Sequence, residues 1–138
     1  MEETKYLHSE TTDAVINAFY KVYNTLGFGF QERVYEGALM IELQKRGIEC
    51  IRQQRIIVYY EGQIVGDYFA DILVADKVIL ELKACSTIED GHIKQLVNYL
   101  RATTFEVGLV LNFGPEPEIK KRIFTNNYKK SLPTNWQG

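Results

Sequence analysis

The chain has 138 residues, with 16 Lys plus Arg against 18 Asp plus Glu, a formal net charge of −2, and 46% hydrophobic and 12% aromatic residues. That length suits one domain spanning residues 1–138 around one hydrophobic core, with no room for a separate catalytic domain beside a separate binding domain. The composition excludes collagen-like, mucin-like and disordered chains, and a net charge so near zero excludes global attraction to nucleic acid.

The opening residues Glu2, Glu3, Lys5, His8 and Glu10 are polar and predict no secretory leader. Polar tails are expected at about 1–8 and 126–138. Ala14, Val15, Ala18, Phe19, Val22, Tyr23 and Leu26 recur at helical spacing and stop at Gly27, which suits a position just past a helix end. A second helix is predicted from about Gln31 to Arg46, closing on Gly47. Gly27-Phe28-Gly29 between them lacks the preceding strand of a phosphate-cradling loop and reads as a cap and turn. The period then changes. Ile56 to Tyr60, Tyr68 to Val74 and Val78 to Leu82 predict an antiparallel meander. Ile93, Leu96, Val97 and Leu100 give a third helix, Phe105 to Phe113 an apolar strand, and Ile119 to Thr125 a last, more exposed strand. The order is α-α-β-β-β-α-β-β. No apolar run approaches the roughly 20 residues of a membrane span. Cys50 and Cys85 have no metal-ligand spacing and read as free thiols in a reducing cytoplasm.

Asp71, Glu81 and Lys83 interrupt strands that are otherwise apolar on both faces, the pattern of buried strands. A three-residue turn, Ala75-Asp76-Lys77, pairs 74 with 78, 73 with 79, 72 with 80 and 71 with 81. Asp71 and Glu81 then become cross-strand neighbours, and two carboxylates so close in a dry setting call for a cation, such as a divalent metal. Lys83, two residues beyond Glu81 on the same face, is placed to hold a water or to offset charge on a phosphate; alternatively it forms a structural ion pair with one of the acids. On the third helix His92, Gln95 and Tyr99 form a polar stripe beside the apolar one. On the second, Glu32 shares a face with Tyr35 and Leu39, either as a further ligating acid or as a first-turn acid favoured by the helix dipole. Lys120, Lys121 and Arg122 on the last strand, with Lys129 and Lys130 beyond, are either a local nucleic-acid contact or a solvated surface.

Gly29-Phe30-Gln31-Glu32-Arg33-Val34-Tyr35 resembles the Gly-x-x-Glu-x-x-Tyr signature of the GxxExxY family, which is assigned to the PD-(D/E)XK nuclease superfamily. Asp71 followed by Glu81-Leu82-Lys83 resembles that superfamily's Asp…Glu-x-Lys core. Gln95-x-x-x-Tyr99 is similar to the Gln-x-x-x-Tyr motif of RecB-like nucleases, and Gly108 to Gly114 resembles the family's following strand. The resemblance implies an α/β, restriction-endonuclease-like core with a mixed central sheet flanked by helices. It implies Asp71, Glu81 and Glu32 as ligands of Mg²⁺ or Mn²⁺ and Lys83 beside the attacking water. Gln95 and Tyr99 would orient water or phosphate, with Tyr35 and His92 in support.

Two function classes follow: a metal-dependent nuclease cleaving DNA or RNA, or a catalytically silent module of the same fold that binds nucleic acid or a protein partner. A homodimer is compatible with either.

Overall fold

The computed structural model describes residues 6–130 and 132. Three helices and five strands appear in the expected order: α1 (Ser9–Leu26), α2 (Glu32–Lys45), β1 (Cys50–Tyr60), β2 (Gln63–Val74), β3 (Val78–Lys83), α3 (Asp90–Ala102), β4 (Val107–Phe113) and β5 (Pro117–Ile123). Helix α1 ends because Gly27 adopts a φ of 68°, open to glycine at little cost, and returns its N–H to Tyr23 O at 2.8 Å.

The strands form one sheet in sequence order, β1-β2-β3-β4-β5. Every neighbouring pair is antiparallel except β3 and β4, which run parallel and are joined across the sheet by α3. The sheet is therefore mixed, as expected. Helices α1 and α2 cover one face, where Val15, Phe19, Tyr35 and Leu39 pack on Ile72, Leu80, Leu82 and Leu109. Helix α3 covers the other, with Leu96, Tyr99 and Leu100 on Leu73, Ile79 and Val110. Central strands covered on both faces must be apolar on both, which explains why β4 is buried along its whole length. Each fully buried Leu, Ile or Phe here contributes roughly 1.5–3 kcal/mol.

Strands β1 and β2 are longer than expected, beginning at Cys50 and Gln63. Arg52, Arg55 and Asp67 hide the strand period in the sequence, yet β1 is an edge strand and its hairpin with β2 runs past the end of β3, so polar side chains are accommodated on exposed backbone. Asn126–Tyr128 forms a short 3-10 turn after β5. Residues 1–5, 131 and 133–138 of the expected polar tails lie outside the described residues.

Candidate active site

The three-residue turn sets the register of β2 and β3 as anticipated, with Val74 opposite Val78, Leu73 opposite Ile79 and Ile72 opposite Leu80. The backbone ladder stops there. At the next position the side chains take over: Leu82 N–H donates to Asp71 Oδ2 at 2.7 Å, and Asp71 N–H donates to Glu81 Oε1 at 3.1 Å. No donor among the described residues bonds the second oxygen of either carboxyl group. Glu81 is only 6% exposed and Asp71 half-buried.

Burial pushes the Asp71 carboxyl up to about 6, and the negative charges of Glu36 and Glu32 act in the same direction, against the Leu82 N–H and Lys83. Burial again, then Asp71 itself, pushes Glu81 up to about 8. Near neutral pH the pair therefore keeps a proton unless a cation replaces it. Two hard oxygen donors, each steadied by a backbone N–H and each with one oxygen to spare, suit a hard divalent cation.

Lys83 ends β3 half-buried, and its charge is felt by both acids. It forms no ion pair with either within 4.0 Å, so the structural ion pair that the sequence left open is not made. The segment after Lys83 is clasped by buried Asn112 of β4. Asn112 Oδ1 accepts from Cys85 N–H at 3.0 Å, and Nδ2 donates to Cys85 O and to Glu118 Oε1, each at 2.9 Å. Gly114 completes the clasp, since a Cβ there would lie 2.3 Å from Cys85 O.

Helix α2 brings two acids towards the pair. Glu32 is exposed in its first turn and is felt electrostatically by both Asp71 and Glu81, but among the described residues no group of three or more Asp, Glu, His or Cys side chains is assembled to hold a metal. Glu36, one turn further on, was not singled out from the sequence. It is buried, and its Oε1 accepts from Arg52 Nε at 2.7 Å and Gln53 Nε2 at 3.0 Å. Its four-residue spacing from Glu32 is the signal that could have found it. Tyr35 is fully buried, stacks on Phe113 with ring centroids 4.2 Å apart, donates to Gly27 O at 2.6 Å and accepts from Phe30 N–H at 3.2 Å. It thereby fixes the loop that starts α2 and carries Glu32.

On α3, His92 caps the helix: its Nδ1 accepts from Glu89 N–H at 3.1 Å, while the Glu89 side chain receives the His92 backbone N–H. Gln95 Nε2 donates to Tyr99 OH. Burial raises the Tyr99 phenol, with Gln95 opposing and the charges of Glu81 and Asp71 adding to the rise, so α3 approaches the acids through Tyr99. Gln95 and Tyr99 also line a cleft of about 770 Å³ between α3, the β1–β2 hairpin and the segment after β5.

The basic run on β5 is not one surface. Strand alternation sends Lys121 with Ile119 and Ile123 towards α1 and α2, and Lys120 and Arg122 to the face that carries α3. Lys129 and Lys130 instead line the cleft beside α3.

No curated protein and no solved structure gives a significant match to the chain. A family model for the PD-(D/E)XK nuclease superfamily matches residues 9–123. That span holds α1 through β5, the paired acids and Lys83, and the mixed five-stranded sheet with its three helices agrees with a restriction-endonuclease-like fold. The chain belongs to the PD-(D/E)XK nuclease superfamily.

Proposed function

We propose that this protein is a metal-dependent nuclease of the GxxExxY type that hydrolyses phosphodiester bonds in DNA or RNA. The observation that carries the reading is the pair of half-buried Asp71 and buried Glu81, each holding a backbone N–H of the opposite strand and each with one oxygen that no donor among the described residues bonds. Asp71 and Glu81 would hold Mg²⁺ or Mn²⁺, with Glu32 as a further acid from α2. When bound there, the ion supplies positive charge to a phosphate oxygen and lowers the pKa of coordinated water.

The chain's own groups do the rest. The Lys83 ammonium, free of any ion pair with the acids, offsets charge that develops on the phosphate or holds the attacking water. Gln95 and Tyr99, joined by a hydrogen bond on α3, orient the phosphate or the water from the opposite wall. Tyr35 and His92 support the site at a distance, one by fixing the start of α2 and the other by capping α3.

The test is incubation of the purified chain with single-stranded, double-stranded and branched DNA and RNA, with Mg²⁺, Mn²⁺ or EDTA. The expected result is cutting that needs the ion and is lost in an Asp71→Asn, Glu81→Gln variant that still melts cooperatively. Equal cutting in EDTA, or by that variant, would sink the reading.

A further inference from the structure

The cleft beside α3 has a chemistry of its own. One wall is the exposed face of α3, where Lys94 and Arg101 lie seven residues apart, about 10 Å along the helix. The second is the β1–β2 hairpin, which contributes Tyr68, 47% exposed and in ring contact with Tyr99 at 6.0 Å. The third is the segment after β5, carrying Tyr128, 76% exposed, and Lys130. That third wall is tied down. Lys129 Nζ donates to Thr103 O at 2.8 Å and Phe105 O at 2.7 Å, and Asn126 N–H donates to Glu106 Oε2 at 2.8 Å. Among the described residues no acidic side chain lines the cleft, although the whole chain carries a net charge of −2.

Cations at the rim with exposed phenol rings between them suit a ligand that alternates negative charge with aromatic faces. A nucleic-acid strand does so, and only unpaired bases present their faces, because bases in a duplex are stacked on one another. A volume of about 770 Å³ falls within the roughly 300–1,000 Å³ of ligand-sized clefts, room for a few nucleotides but not for the width of a duplex. We propose that this cleft binds the unpaired end of a nucleic-acid strand, with bases on Tyr68 and Tyr128 and phosphates on Lys94, Arg101 and Lys130, and leads it past Tyr99 to Asp71 and Glu81. The proposal rests on the nuclease reading for its direction of travel, and it names the substrate class: strands with single-stranded ends.

Fluorescence anisotropy in EDTA, where nothing is cut, tests it with fluorescein-labelled single-stranded DNA and RNA and a blunt hairpin duplex. The single strands should bind about tenfold tighter than the hairpin or better. The Tyr68→Ala, Tyr128→Ala variant should lose about tenfold for single strands and nothing for the hairpin. In the Lys94→Gln, Lys130→Gln variant the slope of log affinity against log salt should fall by about 1.4, or 0.7 for each phosphate that is no longer neutralised. All four side chains reach solvent, so the variants should fold, and a thermal melt checks this. Equal affinity for single strand and hairpin, or an unchanged tyrosine variant, overturns the proposal. Ion-dependent cutting alongside equal affinities would remove the cleft and keep the nuclease, whereas tyrosine-dependent binding by a chain that cuts nothing would do the reverse.

Discussion

Asp71 and Glu81 exchange hydrogen bonds through each other's strands: Asp71 Oδ2 accepts the Leu82 N–H at 2.7 Å, and Glu81 Oε1 accepts the Asp71 N–H at 3.1 Å. Two backbone N–H groups, one from each strand, thus hold the carboxyl groups in place. The cost is electrostatic, because the acids share a poorly solvated site and resist ionising together.

That cost predicts how stability depends on pH. Both folded-state values are raised, to about 6 for Asp71 and about 8 for Glu81, so between about pH 4 and 8 the folded protein holds more protons than the unfolded chain. The contribution is fully present below pH 4 and is lost as pH rises through 6 and then 8. In EDTA the melting temperature should fall from pH 5 to 9. The Asp71→Asn, Glu81→Gln variant should be flatter and, at pH 8.5, more stable than wild type by on the order of 1–3 kcal/mol. Saturating Mn²⁺ should raise the wild type alone. Differential scanning fluorimetry across this range checks the prediction, and a wild-type melting temperature that climbs with pH would refute it.

The pair was legible in the sequence because its cause is local: a three-residue turn between two strands with an interrupted apolar pattern sets the register. The helix ends at Gly27 and Gly47 were legible for the same reason. What was hidden depends on contacts between distant segments. Glu36 is buried because Arg52 and Gln53 reach it from β1, and helical spacing alone does not announce such a partner. Lys129 looks like part of a solvated tail until Thr103 and Phe105 supply carbonyl groups for it. Lys120, Lys121 and Arg122 look like one patch in sequence, but the period of two in β5 divides them between faces.

Asn112 holds the segment between Lys83 and α3 through two hydrogen bonds to Cys85 and donates a third to Glu118 of β5, and it has no solvent to replace them. Asn112→Ala should lower stability by at least about 2 kcal/mol, since a buried donor or acceptor left unpaired costs about 1–3 kcal/mol. Asn112→Asp should not rescue it, because the new carboxylate would face Glu118 where an N–H now donates. Urea unfolding of the three proteins decides the matter; a stable Asn112→Asp would show that the Glu118 contact is dispensable.

Tyr35 and Glu32 lie three residues apart on α2 but should separate in their effects. Tyr35→Phe removes the hydroxyl that bridges Gly27 O and Phe30 N–H while keeping the stack on Phe113, and should cost about 1–3 kcal/mol with little change in kcat at saturating ion. Glu32→Gln, at an exposed position, should leave the melting temperature unchanged and raise the Mn²⁺ concentration needed for half-maximal cutting. Thermal melts and metal titrations of both variants test the division; loss of cutting in a well-folded Tyr35→Phe would assign the hydroxyl to the chemistry.

Lys83 gives the sharpest separation of chemistry from folding. A lysine paired with a buried acid would be costly to remove, about 3–5 kcal/mol, because the acid would be left with an uncompensated charge. Here no ion pair within 4.0 Å joins Lys83 to Asp71 or Glu81, and the pair already relieves its repulsion by keeping a proton. Lys83→Met should therefore melt within a few degrees of wild type. An ammonium that meets charge appearing only in the transition state contributes little to binding the ground state, so kcat should fall by at least about 100-fold while KM changes little. Lys83→Arg keeps the charge but moves it on a longer, planar group, and should recover only part of the rate. Melts and steady-state cutting rates, both at one fixed Mg²⁺ concentration, measure the two effects on the same footing. A destabilised Lys83→Met that still cuts at the wild-type rate would return Lys83 to a purely structural role.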